Sequence, residues 1–193
     1  GKKHSALALH RELLARGIKA DFRATGQTGI MIAGEGLPID AMVADFISGA
    51  AELLSPDNDA DHWDVIEGQG SLLHPSYAGV SLGLLHGSQP DAVVLCHEAG
   101  RDELKSLDVV VEVPPLNEVV ESVLNLAQVT SPNCIWAGIS MNTASLTDEQ
   151  RRGYLADVAG KYGVPCGDPG ATGRDRKRVV EGEGGSQGGG GRG

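Results

Sequence analysis

Hydrophobic residues along this chain alternate between helical and strand-like spacing. The first helical pattern covers residues 2–16, with Gly17 as its stop signal. Strand-like runs, most of which lead into polar or glycine-containing loops, occupy 18–25, 63–66, 91–96, 134–140 and 163–167. Further helical patterns begin at Pro38 and cover 78–85, 116–129 and 147–162. Strands joined by helical crossovers predict a three-layer α/β domain with a mainly parallel sheet.

Three local predictions refine this picture. Residues 26–29, Gly-Gln-Thr-Gly, predict a polar loop after the first strand. Thr147 and Gln150 have the spacing of a capping box, which favours a helix start there. Pro38 suits the first position of a helix. The buried stripe of that helix would consist of Ile39, Val43, Phe46, Ala50 and Leu53.

Composition and charge limit the classes of function that this chain can have. A chain of 193 residues with 40% hydrophobic content supports one sizeable core, which we assign to residues 1–173. The polar, glycine-rich segment 174–193 predicts a disordered tail. A net charge of -10, with acids and bases interspersed, disfavours nucleic acid and anionic membranes as partners. We expect a small-molecule substrate.

The predicted location is the cytoplasm. No apolar run approaches the roughly 18 to 20 residues that span a bilayer, and no signal-peptide pattern opens the chain. The cysteines number three and lack metal-ligand spacing. We therefore expect reduced, partly buried thiols.

The strongest candidate for a catalytic residue directly follows the strand that ends at Ile66. This strand leads into Glu67-Gly68-Gln69-Gly70-Ser71, an acid in a glycine-rich loop. Ligands of open α/β sheets bind beyond the carboxyl ends of strands, so we expect the Glu67 carboxylate to face a ligand crevice. The alternative is that Glu67 caps a neighbouring helix or pairs with a lysine. His74 follows, either as a proton shuttle or as a neutral ring hydrogen-bonded to the loop backbone.

The first residues resemble the second half of a phosphate-binding P-loop. Gly1 and Lys2 lead into a helix that carries a hydroxyl at Ser5, although Lys3 stands where Ser or Thr is usual. A surface lysine at a helix start is the alternative. Since the front half of such a loop is absent, we expect a domain truncated at its N-terminus. Ligand binding would then need residues upstream of Gly1.

Other polar residues follow predicted strands or border the predicted loops. Asp45 is a second candidate acid, with an exposed helical aspartate as the alternative. Arg23 suits a carboxylate or a phosphate, because its planar fork binds two oxygens, with a solvated strand arginine as the alternative. Secondary candidates for a site are Thr25, Gln27, Thr28, His97, Arg101 and Asn142.

Four blocks in the same order resemble the D-glutamate N-acetyltransferase family. They are RATGQTG at 23–29, ADFISGA at 44–50, IEGQGS at 66–71 with His74-Pro75, and CHEAGR at 96–101. The resemblance covers about 1–173, whereas His4 replaces a usual hydroxyl residue and 102–113 departs from the pattern. It implies a P-loop-type C-terminal domain behind an N-terminal Rossmann-like domain, with acetyl transfer from acetyl-CoA to the amine of D-glutamate. That domain is similar to dethiobiotin synthetase.

The resemblance implies roles for the candidate residues. The co-substrate acetyl-CoA would be bound by Gly1, Lys2, Lys3, His4, Ser5 and Asn142. The acceptor would be bound by Arg23, Thr25, Gln27, Thr28, Gln69, Gly70, Ser71, His97 and Arg101. The catalytic candidates are Glu67, His74 and Asp45. One alternative is a ligase or kinase that uses ATP and Mg²⁺ with Glu67 on the metal, and another is a non-catalytic nucleotide-binding module. We expect a homo-oligomer for a full-length protein.

Overall fold

The computed structural model describes residues 1–104 and 110–171. Two 3₁₀ turns, Ile39–Ala41 and Ala44–Phe46, precede the third helix. The helices and strands are, in chain order, α1 (Lys2–Ala15), β1 (Lys19–Arg23), α2 (Gln27–Ala33), α3 (Ile47–Leu54), β2 (His62–Ile66), α4 (Ala78–Ser88), β3 (Ala92–Glu98), α5 (Leu116–Ala127), β4 (Ile135–Asn142), α6 (Asp148–Tyr162) and β5 (Cys166–Gly167). The predicted tail at 174–193 lies outside the described residues.

All pairs between the described strands are parallel, which confirms the predicted α/β class. β1 pairs with β2 from Lys19↔His62 to Arg23↔Ile66. β4 lies between β3 and β5 in a second sheet. The predicted single sheet is therefore two sheets within the described ranges. β2 and β3 are the sheet edges that border a broad groove.

Helices cover both faces of the first sheet. Alternate residues of a strand point to opposite faces, so Val65 and Ile66 contact different layers. Val65 belongs to the cluster under α1, with Ala6, Phe22 and Ala24. Ile66 packs on the other side against a cluster formed by Ile39, Ile47, Ala50, Ala51 and Leu84. This arrangement gives the three layers that the sequence predicts. A third cluster joins β4 to α6 through Ile139, Met141 and Val158.

The predicted loop at 26–29 is instead the start of α2. Gly26 is the extended N-cap residue, with φ -126° and ψ 156°, and Gly34 ends the helix in the left-handed region at φ 82°. Gly29 leaves room for the Glu67 side chain, because a Cβ on it would overlap Glu67 Oε2. The loop prediction is wrong because the Glu67 carboxylate, which is distant in sequence, stabilises the start of α2. The glycines of this segment alone disfavour a helix.

The helix predicted from Pro38 is interrupted. The backbone is extended at Met42 and Val43, which separates the two 3₁₀ turns. Ile39 N–H donates to Thr25 O at 3.0 Å rather than to a helical acceptor. Because the helical register is lost, the five apolar residues do not share one face. Ile39 and Ala50 are buried, whereas the exposed fractions of Val43, Phe46 and Leu53 are 68%, 67% and 80%.

The remaining helices confirm their predictions closely. The Thr147 hydroxyl accepts from Gln150 N–H, and the Gln150 side chain accepts from Thr147 N–H, so the predicted capping box is complete. The three cysteines are free, with Cys134 buried and the other two partly buried, as expected. Within the described ranges, every helix is too short or too polar to cross a membrane.

Candidate functional site

The groove beside β2 and β3 brings together residues that are far apart in sequence. It is bordered by the start of α1, the loop between β2 and α4, and the ends of β3 and β4. The predicted site residues that line it are Gly1, Lys2, His4, Ser5, Gln69, Gly70, Ser71, His74, His97, Arg101 and Asn142. The chain start, the glycine-rich loop and the strand ends thus border one groove.

Other predicted residues do not line this groove. Gln27 and Thr28 are exposed in the first turn of α2, which replaces the predicted loop. Asp45 is exposed in the second 3₁₀ turn, as in the alternative that the sequence left open. The others outside the groove lining are Lys3, Arg23, Thr25 and Glu67.

Glu67 is buried, with an exposed fraction of 7%. Its Oε2 accepts hydrogen bonds from the backbone N–H groups of Thr25 at 3.2 Å and Gly26 at 3.3 Å. These donors stand at the start of α2, where N–H groups lack helical partners and the helix dipole favours a negative charge. The contacts match the helix-capping alternative. These bonds hold Oε2 within the protein, and the expectation that the carboxylate faces a ligand crevice stays a prediction.

A short hydrogen-bond chain ties the Glu67 loop to the end of β1. The Thr25 hydroxyl donates to Glu67 O at 2.7 Å, and Gln69 Nε2 donates to Thr25 Oγ1 at 2.7 Å. Thr25 is fully buried, so these bonds occupy a side chain predicted to bind substrate. Its hydroxyl instead holds the loop in place. Gln69 also lines the groove, so it connects this hydrogen-bond chain to the groove.

Arg23 binds carboxylates of the protein itself. Its Nε contacts Asp64 Oδ1 at 2.8 Å, and its Nη2 contacts Asp21 Oδ2 at 3.1 Å. His62 Nε2 lies 3.3 Å from Asp21 Oδ2, so the two acids and this histidine have the spacing of a metal-binding group. The Arg23 guanidinium already supplies the positive charge there. A substrate carboxylate at Arg23 would compete with both protein carboxylates, in contrast to the predicted role.

The start of α1 is strongly positive. Gly1 is the N-cap residue without a side-chain cap, and the first turn contains no acidic residue. Lys2 and Lys3 therefore add charge to the positive end of the helix dipole, an arrangement that favours an anion. A Cβ on Gly68 would lie 3.5 Å from Lys2 Cδ, which places Lys2 beside the glycine-rich loop.

Ser140 and Cys96 are groove residues that the sequence reasoning missed. Ser5 Oγ and Ser140 Oγ are 2.6 Å apart, which links α1 to the end of β4. Burial raises the pKa of the Cys96 thiol despite a hydrogen bond with Ser5. Such a thiol is a weak nucleophile. Their position just before the polar ends of buried strands is the signal that could have identified them.

His97 and Arg101 occupy the end of β3 and the turn that follows it. Burial lowers the pKa of His97, and the charge of Arg101 lowers it further. The imidazole is therefore neutral at neutral pH and can accept a proton. Arg101 Nε donates to Glu103 O at 3.2 Å. At the end of β4, Asn142 Oδ1 accepts from Ala144 N–H at 3.2 Å.

His74 lies in the loop between β2 and α4. Its exposed fraction is 6%, and its Nδ1 accepts from Ser76 N–H at 3.1 Å. Of the two histidine interpretations, this contact matches the ring bonded to its own loop. The ring also stacks at 4.4 Å on Tyr77. Gly70 permits this packing, because a Cβ on it would lie only 2.6 Å from Tyr77 Cβ.

Known proteins resemble this chain over most of its length. It is 53% identical to a D-glutamate N-acetyltransferase from Tritonibacter scottomollicae over 169 residues, 88% of this chain and 50% of that protein. A D-glutamate N-acetyltransferase from a Pseudoalteromonas species is 49% identical over 169 residues, 88% of this chain and 51% of that protein. The chain thus spans about half the length of the curated relatives it matches.

A solved structure and a family profile agree with these relatives. The crystal structure of a DUF1611 family protein from Anabaena variabilis ATCC 29413 superposes with a TM-score of 0.80 at 37% identity, over 87% of this chain and 49% of that one. Residues 1–178 match the profile of the P-loop domain described as a domain of unknown function, DUF1611_C. The chain therefore belongs to the DUF1611_C P-loop domain family.

Proposed function

We propose that the protein carrying this chain is an N-acetyltransferase that moves an acetyl group from acetyl-CoA to the amino group of D-glutamate or a similar amino acid. The observation that carries the proposal is the similarity to two D-glutamate N-acetyltransferases, at 53% and 49% identity over 88% of the chain. The groove supports it, since it combines a positive helix start with neutral polar groups from three loops.

The start of α1 is the proposed binding site for the phosphates of acetyl-CoA. Lys2 and Ser5 line the groove there, and the first N–H groups of the helix add donors. The acceptor amino acid would bind beside the β2–α4 loop and the end of β3. Gln69, Ser71 and Arg101 offer polar atoms for it on the same groove.

Acetyl transfer requires a neutral amine. Its nitrogen attacks the thioester carbonyl carbon, the C–N bond forms, the C–S bond breaks, and the thiol leaves as a thiolate that regains a proton. We propose His97 as the acceptor of the amine proton, because it lines the groove and its lowered pKa keeps it neutral. Glu67 and Asp45 suit this role less, since neither lines the groove.

An assay with alternative substrates tests the reaction. The protein, expressed from its gene with all flanking sequence, is incubated with D-glutamate and acetyl-CoA, or with D-glutamate, ATP and Mg²⁺. We expect N-acetyl-D-glutamate by mass spectrometry with acetyl-CoA. Nucleotide hydrolysis or phosphorylation without acetylated product would instead support the ATP-dependent alternative. Binding without turnover would support the non-catalytic nucleotide-binding module.

The pH profile tests the proposed base. His97→Gln should lower kcat/KM by about 100-fold or more, the range for loss of a general base. It should also move the acidic limb of the profile to higher pH, because the substrate ammonium group must then lose its proton to solvent instead of to His97. His86→Gln is the matched control, since His86 Nε2 bonds Leu126 O at 3.0 Å outside the groove lining. An acidic limb at the same pH in His97→Gln and wild type would assign the base elsewhere.

Location and assembly remain proposals. Three free cysteines support a reducing compartment such as the cytoplasm. Exposed apolar residues such as Met31, Phe46 and Leu53 support the expected homo-oligomer. Light scattering after size-exclusion chromatography of the full-length protein would give its mass, and a monomer would contradict the assembly proposal.

A further inference from the structure

The loop that carries His74 fixes the tautomer of its ring. Ser76 N–H donates to Nδ1 at 3.1 Å, so the lone pair of Nδ1 is in use. A neutral imidazole has one N–H and one acceptor nitrogen, and the proton must therefore be on Nε2. Stacking on Tyr77 at 4.4 Å holds the ring in this orientation. The backbone N–H of His74, in turn, donates to Ser71 O at 3.1 Å.

The Nε2–H group of His74 is a buried donor without an acceptor in the described part of the protein. Two buried side-chain atoms there lack a hydrogen-bond partner, His62 Nε2 and His74 Nε2. His62 Nε2 lies 3.3 Å from Asp21 Oδ2, so a carboxylate is close to it. A buried donor without an acceptor destabilises the protein, because it has lost its hydrogen bonds to water. A ligand oxygen that reaches Nε2 would satisfy this donor, and His74 is among the residues that line the groove.

We infer that His74 donates a hydrogen bond from Nε2–H to an oxygen of the bound substrates and does not act as a base. The inference rests on the proposed function for the identity of that oxygen. A base at Nε2 would need a free lone pair there and a proton on Nδ1. That proton would face the Ser76 N–H, and two donors would oppose each other.

Two substrate oxygens have the required chemistry. One is a carboxylate oxygen of the acceptor amino acid, which accepts the bond equally before and during reaction. The other is the thioester carbonyl oxygen, which gains negative charge as the amine attacks. Loss of the donor raises KM in the first case and lowers kcat in the second.

Nitrogen NMR tests the tautomer without any turnover. With ¹⁵N-labelled histidine, we expect the His74 signal, assigned by its absence from His74→Gln, to show protonated Nε2 and unprotonated Nδ1. Adding D-glutamate or acetyl-CoA separately should shift the Nε2–H proton with the ligand whose oxygen it binds. Protonated Nδ1, or an Nε2–H that neither ligand shifts, would overturn the inference. If the tautomer and shift appear but no acetylated product forms, the proposed function fails and the donor assignment stands.

Two substitutions separate a donor from a base. His74→Gln places an amide N–H where Nε2–H stands, whereas His74→Phe keeps the ring shape without a donor. We expect His74→Phe to lower kcat/KM at least tenfold, through KM or kcat according to the oxygen bound, and His74→Gln to recover most of the loss with an unchanged pH profile. Thermal melting of both variants tests folding, and His74→Gln carries the test if His74→Phe does not fold. Equal activity of His74→Phe and wild type, or a shift of the acidic limb to higher pH in His74→Gln, would overturn the assignment.

Discussion

At the scale of single residues, buried acids in this chain bind backbone N–H groups. Glu67 caps the start of α2, and Asp168 caps the turn after β5, where it accepts from Gly170 N–H at 2.8 Å and Ala171 N–H at 3.2 Å. Asp168 also accepts from Thr143 N–H at 2.9 Å. Both acids therefore join strand ends to the segments that follow neighbouring strands. We therefore expect both acids to stabilise the folded state.

Removing the charge of Glu67 should destabilise the fold. A hydrogen bond to a charged group contributes about 1.5–3 kcal/mol and a neutral one about 0.5–1.5, so Glu67→Gln should lower the free energy of unfolding by about 1–2 kcal/mol. Urea denaturation measures this change in the free energy of unfolding. Glu52→Gln, at an exposed residue of α3, is the matched control and should change it by less than about 0.5 kcal/mol. Unchanged stability of Glu67→Gln with lost acetyl transfer would return Glu67 to the catalytic role that the sequence predicts.

Asp168 should make stability depend on acidic pH. Burial raises the pKa of this carboxyl, but the bonds from Thr143, Ala171 and Gly170 outweigh it and hold the pKa below 3.8. Asp168 therefore adds stability above about pH 4, and this stability is lost as the pH falls through the lower folded value. The stability difference between wild type and Asp168→Asn in urea should shrink from pH 7 to about pH 2. Asp57→Asn, at an exposed residue, should show no such change.

Single residues predict which positions line the groove better than they predict the hydrogen bonds and ion pairs of those positions. His74, His97 and the Gly68–Ser71 loop line one groove, because strand ends of a parallel arrangement meet at one edge. The ion pairs of Arg23 could not be predicted, since the register that puts Asp21 opposite Asp64 is not visible in one strand alone. Hydrogen-bond partners distant in the chain decide such roles.

At the scale of elements, α3 and α4 pack through glycine. A Cβ on Gly87 would overlap Ser48 O, which is backbone and cannot rotate away, and a Cβ on Gly83 would overlap Ile47 Cγ2. Glycine within a helix costs roughly 0.5–1 kcal/mol relative to alanine. Its presence at these two positions is explained by the close approach of the helices.

Alanine at Gly87 should therefore destabilise the protein. We expect Gly87→Ala to lower the free energy of unfolding by about 1–3 kcal/mol, because overpacking outweighs the gain in helix propensity. Gly79→Ala is the matched control in the same helix, where a new Cβ meets nothing within 4 Å. It should leave stability unchanged or raise it by up to about 1 kcal/mol. Equal effects of the two substitutions in chemical denaturation would contradict the packing account.

Prediction of elements succeeded where local signals suffice. α6 carries its own start signal in the Thr147 capping box, and the first residue of the helix follows from it. α2 and the segment after Pro38 depend on tertiary contacts instead, namely Glu67 at one helix start and the bond from Ile39 N–H to Thr25 O. Propensity and periodicity contain no information on such partners.

At the scale of the whole molecule, an acidic chain presents a positive helix start to its groove. The net charge is -10, yet Lys2 and Lys3 stand in the first turn of α1. Ser5 bonds Ser140 at 2.6 Å, so this end is fixed against the second sheet while the helix packs on the first through Ala6. The charge is thus held where both sheets border the groove, which favours an anionic ligand.

The two lysines should differ in their effect on that ligand. Lys2 lines the groove beside Gly68, whereas Lys3 is not among the lining residues. In the protein expressed from its gene with all flanking sequence, Lys2→Gln should weaken acetyl-CoA binding by about tenfold, equivalent to about 1.4 kcal/mol. Lys3→Gln removes the same charge one residue away and should weaken it far less. Because salt screens exposed charges, raising the salt concentration should weaken wild-type binding more than binding by Lys2→Gln. Titration calorimetry at low and high salt measures both effects, and equal losses for the two lysines would show that net charge, rather than a contact at Lys2, attracts the ligand.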